Sequence, residues 1–244
     1  MAGTGMTALI TGAGSGIGRG VAVALDQIGV RVALIGRDLK KLEETRGLLG
    51  QSGGEALTLS CDVAGREEVG AMVKQVVSAF GKIDVLVSNA GINVKNRALG
   101  VLDPADWDKM IATNLTGAFN LAFFVLPYMR EKQSGLVIQI DSISGKRVSL
   151  LGGVGYSASK FGQAALGIGI GREEGAKGIR STVIYPGEVN TPILDSRPVP
   201  VPADRRVAIL QPEDVGKAVR FLVELHPRAS IPEMVIKPTI DDWF

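Results

Sequence analysis

The stretch Thr7–Gly18, reading TALITGAGSGIG, limits what this chain can fold into more than any other. A short apolar, β-branched run passes directly into a glycine-rich turn, and a helix-like run continues as far as Ile28. Glycines let backbone approach a pyrophosphate closely, and the unpaired N–H groups of a helix start attract its charge. Turns collect glycine for many reasons, but a strand before and a helix after make this one a phosphate-binding candidate. Gly12, Ser15, Gly16, Ile17 and Gly18 are its expected binding positions.

Six further apolar runs come after it: Arg31–Ile35, Ala56–Ser60, Val85–Ser88, Leu136–Ile140, Ser181–Ile184 and Glu233–Ile236. They are nearly continuous rather than alternating, as strands covered on both faces are. Longer amphipathic runs lie between them. Asp103-Pro104 opens one helix with a capping side chain and a first-turn proline. Gln211-Pro212-Glu213-Asp214 opens another, with two acids where the helix dipole favours them. The alternation predicts an α/β fold. It is a Rossmann-type, doubly wound parallel sheet of about seven strands with helices on both faces, in one domain spanning 1–244, with ligands at the carboxyl ends of the strands.

Composition narrows the function. The chain has 244 residues, 45% hydrophobic and 21% charged, the balance of an ordinary globular domain with room for a large core. A net charge of +2 gives no reason to expect nucleic acid or membrane as a partner. No unbroken apolar run reaches the ~18 residues of a bilayer span. Cys61 is the only cysteine and His226 the only histidine, so neither a disulfide nor a metal cluster is expected. Met1–Thr7 lacks the basic-then-apolar pattern of a signal peptide, and a reducing, cytoplasmic setting is expected.

The motifs together resemble the short-chain dehydrogenase/reductase family, whose fingerprint T-G-x-x-x-G-x-G matches Thr11 to Gly18. The resemblance covers nearly the whole chain. Ser88-Asn89-Ala90-Gly91 is similar to the family's N-N-A-G, with Ser88 a departure at the first position. Asp62-Val63 resembles its adenine-contacting D-V, and Pro186-Gly187 with Val189 and Thr191 resembles its nicotinamide-contacting P-G-x-V-x-T. Each comes after a predicted strand. The resemblance implies a nicotinamide-dependent oxidoreductase that interconverts a small alcohol or hydroxy acid and its carbonyl compound.

The choice of coenzyme depends on charge. An NAD site places a carboxylate at the end of the second strand, where it would repel a 2′-phosphate. Gly36 stands there instead, and Arg37 comes next with a guanidinium suited to gripping a phosphate. NADP(H) is therefore expected over NAD(H); the competing reading of Arg37 is a solvated residue ahead of a helix capped by Asp38.

At the reacting end, Tyr156 and Lys160 are four residues apart and share a face if helical. Reduction of a carbonyl builds negative charge on oxygen, which must be protonated. A phenol titrating near ~10 is a weak acid for that work, and a nearby ammonium favours its ionisation. Ser142, Tyr156, Lys160 and Asn114 match the family's catalytic tetrad position by position. By resemblance, Tyr156 is the acid/base, Ser142 donates to the substrate oxygen, Lys160 also binds the nicotinamide ribose, and Asn114 holds a proton-relaying water.

The substrate side is expected to be lined by Ile143, Ser144, Lys146, Val148, Glu188 and residues 193–206. The alternating prolines of 193–206 predict an extended, stiff segment, either a lid or a surface loop. Glu188 replaces an apolar residue common in the family, and either faces solvent or selects polar or cationic substrates. A 3-oxoacyl-(acyl-carrier-protein) reductase-like activity is the alternative, but that branch usually ends in a strand followed by Gly-Gly, absent here. The ending Glu233–Thr239 is more similar to the branch that oxidises small 3-hydroxy acids such as serine. Sugar-nucleotide epimerases share the Tyr/Lys pair but usually carry more chain after the last strand. A cofactor-sensing regulator on this fold would not need all four catalytic groups. Apolar and small residues on helices Asp103–Met129 and Ser157–Gly175 add a further expectation, strengthened by the resemblance: a homodimer or homotetramer built on those helices.

Overall fold

A computed structural model describes residues 3–50 and 55–241. Met1 and Ala2, which open the segment lacking a signal-peptide pattern, lie outside the described residues. Seven parallel strands form one sheet: β1 (Thr7–Thr11), β2 (Arg31–Gly36), β3 (Leu57–Ser60), β4 (Val85–Ser88), β5 (Gly135–Ile140), β6 (Ile179–Pro186) and β7 (Glu233–Ile236). Their order is β3-β2-β1-β4-β5-β6-β7. This is the doubly wound α/β architecture predicted. The runs that read as continuously apolar are the central strands; β1 and β4 are buried throughout, whereas the edge strands β3 and β7 are half-exposed. β6 runs longer at both ends than its apolar signal, because Arg180 pairs with Leu136 despite its charge and Tyr185 and Pro186 pair with Val235 and Ile236 of β7.

Helices cover both faces. α1 (Gly16–Asp26) and α8 (Pro212–Glu224) pack on Ala8, Ile10, Val32 and Leu34. α3 (Arg66–Phe80) and α5 (Gly117–Lys132) pack on Leu9, Ala33, Ile35 and Leu86 on the other side. Burying each such Leu or Ile contributes about 1.5–3 kcal/mol. Both predicted helix starts carry their caps. Asp103 accepts the Ala105 N–H at 2.8 Å ahead of α4 (Pro104–Met110), and Gln211 and Asp214 form a reciprocal capping box on α8.

Between α4 and α5, residues Ile111–Thr116 form a wide π-type turn, so one helical path runs from Pro104 to Lys132. That path is long and apolar enough by composition to cross a membrane, with a mean hydropathy of 1.4 in its most apolar window. Half of that window is buried inside the protein, as in a core helix. The remaining described helices are α2 (Leu39–Arg46), α6 (Val154–Glu174) and α7 (Ala203–Ala208).

Residues 193–206 are not extended throughout. A 3-10 turn covers Pro192–Ser196 and α7 begins at Ala203. Pro192 and Pro202 stand at helix starts, where the fixed φ of proline is favourable and its missing N–H costs nothing. Residues 197–202 between them form neither helix nor strand, and the chain bends at 197–199.

Strands one to three run outward from β1 in one direction, and β4 lies on its other side. The strand order therefore reverses between β1 and β4, which opens a crevice at their carboxyl ends.

Candidate active site

The crevice is a single cleft of about 570 Å³, well within the size range of small-molecule sites. At its phosphate end, close packing explains the glycines. A Cβ on Gly18 would run into the Gly12 carbonyl, and one on Gly12, whose φ is +64°, would meet the Asn89 amide at 2.8 Å. Asn89 Nδ2 donates to the Thr11 carbonyl at 2.8 Å, and the Thr11 hydroxyl accepts the N–H groups of Asn89 and Ala90. The loop after β1 and the loop after β4 thus form one hydrogen-bonded unit. Thr11, which opens the fingerprint, is as much a part of it as the glycines.

Ser15, Gly16, Ile17, Asp62, Val63, Ala90, Gly91, Pro186, Gly187, Val189 and Thr191, expected to hold the coenzyme, all line the cleft. Gly18 does not; it lies beneath the loop, pressed on Gly12. The wall also includes Cys61, whose thiol is pushed up to about 12 by burial and then by Glu68 and Asp62, so it remains a neutral thiol. At the far edge Arg37 is exposed, lines the cleft and forms no ion pair among the described residues. Lys41 joins it, 3.9 Å from Asp38. Lys41 stands one helical turn after the capping Asp38, a spacing that the sequence itself displays.

At the other end, α6 presents Tyr156 and Lys160 on one face, the Lys160 Nζ 5.8 Å from the tyrosine ring centre. Ser142 comes directly after β5 and Asp141; its hydroxyl accepts the Ser144 N–H at 3.1 Å and favours ionisation of the phenol. These three share the cleft wall. Asn114 does not reach the cleft. It sits fully buried in the π-type turn, its Oδ1 accepting the Ile92 N–H and its Nδ2 donating to Ile92 O and Ser159 Oγ. It joins the loop after β4 to α6.

The electrostatics differ from the simple phenol–ammonium picture. Lys160 Nζ donates to Ile140 O at 2.9 Å and Gln163 Oε1 at 2.7 Å. Asp141, next to Ser142, is buried, with Oδ1 on the Ser142 N–H and no partner for Oδ2. Burial pushes the Asp141 carboxyl up, and burial pulls Lys160 down while Asp141 opposes that. The Tyr156 phenol is pushed up to about 12, first by burial and then by Asp141, against smaller help from Ser142 and Arg97. Asp141 is the only charged residue in the run Leu136–Ser142, which is the one signal for it in the sequence.

On the substrate side, Ile143, Ser144, Glu188 and Arg197 line the cleft, but Lys146 and Val148 do not. Lys146 turns away to Glu233 at 2.7 Å and lies over the Tyr185 ring; Val148 is exposed to solvent. Glu188 neither faces solvent nor stands free. It is buried and paired with Arg197 and with Arg205, and Arg205 also reaches Asp241 at 3.1 Å. Segment 193–206 is thereby fastened over the site.

Comparison with known proteins agrees with the fold. The family profile described as short chain dehydrogenase matches residues 6–199. An uncharacterized oxidoreductase of Staphylococcus aureus is 32% identical over 235 residues, covering 96% of this chain and 98% of the relative. A metagenomic short-chain oxidoreductase in complex with NADP superposes with a TM-score of 0.85 at 31% identity, covering 99% of this chain and 100% of that one. The 3-ketoacyl-(acyl-carrier-protein) reductase of Brucella melitensis, complexed with NADH, gives a TM-score of 0.87 at 26% identity over 97% and 98% of the two chains.

Proposed function

The chain belongs to the short-chain dehydrogenase family, and from that premise we propose an NADP(H)-dependent oxidoreductase that interconverts a small alcohol and its carbonyl compound, with Tyr156 as acid/base. One observation carries this reading: Tyr156 and Ser142 meet on the wall of a cleft whose opposite end is a glycine cradle for a pyrophosphate. The cradle fits the coenzyme: Gly12, Ser15, Gly16 and Ile17 line it, and the turn is packed too closely at Gly12 and Gly18 to carry side chains. A bound nicotinamide coenzyme supplies or accepts a hydride there.

The remaining steps belong to the protein. Ser142 and Tyr156 hold the substrate oxygen between two hydroxyls, and the phenol gives that oxygen its proton in reduction or takes it in oxidation. Lys160, one turn along α6, stands behind the phenol as a source and sink for the proton. Asn114 keeps α6 and the loop after β4 in register through Ser159 and Ile92. Arg37 and Lys41 together favour the 2′-phosphate of NADP(H). Following NADPH absorbance with a panel of small ketones and aldehydes tests the reading. Turnover is expected for at least one, faster than with NADH at equal concentration; a preference for NADH would overturn the coenzyme assignment.

The reading includes a homo-oligomer. Phe119 and Phe123 of α5 and Phe161 of α6 are 41%, 54% and 42% exposed. Along α6, Phe161, Ala165 and Gly169 recur every four residues on the outward face, and Gly169 has open space where its Cβ would stand. Gly162 and Gly167, by contrast, press on Leu115 and Val183 of the same chain. Part of the small-residue pattern therefore serves the chain's own packing, and the aromatic part is left for a second copy. Light scattering after size exclusion at micromolar concentration is expected to give at least twice the chain mass; the mass of one chain would refute it.

A further inference from the structure

The substrate end of the cleft carries one positive charge more than its own acids balance. Arg97, in the loop between β4 and α4, is 6% exposed. Its Nε donates to Val94 O at 2.8 Å, Nη1 to Leu151 O at 2.9 Å and Nη2 to Ser196 O at 2.7 Å. Those carbonyls belong to its own loop, to the loop ahead of α6 and to the segment over the site. No carboxylate pairs with Arg97 among the described residues. Arg197 and Arg205 share Glu188, and Arg205 also holds Asp241. All five side chains line the same cleft, and with Lys160 and Asp141 beside them the reacting end holds four cations against three carboxylates.

Holding three loops together needs hydrogen bonds, which a neutral amide also provides. A buried guanidinium without a counter-ion is a costly way to do it, because removing a charge from water is repaid only by an opposite charge or a full set of hydrogen bonds. Arg97 shares the cleft wall with Tyr156 and Arg197; its charge favours ionisation of the phenol, and it is itself held below the usual guanidinium range first by burial and then by Arg197. The surplus charge therefore lies beside the acid/base group, where a substrate has to sit.

We infer that the substrate carries a carboxylate seated by Arg97 and Arg197, so that the reaction interconverts a small keto acid and the corresponding hydroxy acid. This rests on the oxidoreductase reading above and narrows it. In reduction the carbonyl carbon gains a hydride from the coenzyme, which is oxidised, and the carbonyl oxygen gains the Tyr156 proton. The carboxylate makes and breaks no bond; the two arginines hold it and so fix which carbon faces the coenzyme. A forked guanidinium matches a carboxylate in a way a neutral ester cannot reproduce.

The test pairs acetoacetate with its neutral methyl ester as NADPH-dependent substrates, and 3-hydroxybutyrate with its methyl ester as calorimetric ligands. Wild-type enzyme is expected to favour acetoacetate in kcat/KM by at least about tenfold, ~1.4 kcal/mol. Arg97→Gln is expected to erase that ratio through the KM of the acid. Since Arg97 also ties loops together, the acid-to-ester ratio within each variant is read rather than the absolute rate. Arg197→Gln, which removes no backbone contact, is the second variant and is expected to lower the same ratio. Calorimetry is expected to show 3-hydroxybutyrate binding weakened at least about tenfold in both variants, while its ester binds poorly throughout. If ester and acid are reduced equally well and neither variant changes the ratio, the carboxylate site is overturned and the oxidoreductase reading stands. If neither carbonyl compound is reduced but 3-hydroxybutyrate binds in an Arg97-dependent way, the carboxylate site stands and the oxidoreductase reading fails.

Discussion

Tyr156→Phe is expected to lower kcat for the best carbonyl substrate by at least about 10²-fold, the scale of lost general acid catalysis. The change deletes one oxygen and keeps the ring, so the packing of α6 and the glycine cradle remain as they are. NADPH affinity, followed by coenzyme fluorescence, is expected to stay within about threefold, a difference under ~1 kcal/mol. Turnover within twofold of wild type would remove Tyr156 from its role. The pH profile gives a second check. Asp141 raises the phenol pKa, so replacing its charge lowers it. In Asp141→Asn the alkaline limb of the reduction rate, where the phenol loses the proton it must donate, is expected to move to lower pH. A limb unchanged or displaced upward would contradict the placement of Asp141 beside the phenol.

Arg37→Asp is expected to reverse the coenzyme preference. The substitution removes a charge-assisted contact worth about 1.5–3 kcal/mol and puts a repelling carboxylate in its place. That corresponds to roughly a 10- to 150-fold rise in the NADPH KM. Lys41 stays behind as a second cation, and Arg37 is exposed, so the lower part of that range is expected. NADH, without the phosphate, is expected to improve, because a carboxylate after β2 can accept from both ribose hydroxyls. Steady-state kinetics with both coenzymes decides it: an NADPH KM unmoved by the substitution would show that Arg37 is only a solvated residue ahead of α2.

Much of the fold is legible in the sequence because burial on both faces leaves a plain mark. β1, β2, β4, β5 and β6 read as nearly continuous apolar runs, and the loops after them carry the residues that meet in the cleft. Caps at Asp103 and Gln211 are legible because their chemistry is local. The features that escape the sequence are either conditional or long-range. Proline stiffens a chain or starts a helix depending on the residues after it; the prolines around 193–206 suggest the first, whereas Pro192 and Pro202 act in the second way. Arg97 leaves no trace, since its partners Leu151 and Ser196 lie 54 and 99 residues away and nothing periodic surrounds it. Lys146 and Val148 are near Ser142 in sequence, but the chain turns outward after the short 3-10 turn Ile143–Gly145.

The peptide from Pro186 to Thr191 has two faces with different duties. Pro186, Gly187, Val189 and Thr191 line the cleft at the positions proposed for the nicotinamide, while Glu188 between them fastens segment 193–206. Floor and roof of the reaction chamber are thus cut from the same short beam. Altering the roof to admit a new substrate pulls on Glu188, and through it on the residues that cradle the coenzyme. A substitution that loosens the Glu188 ion pairs is therefore expected to change the KM for coenzyme as well as for substrate.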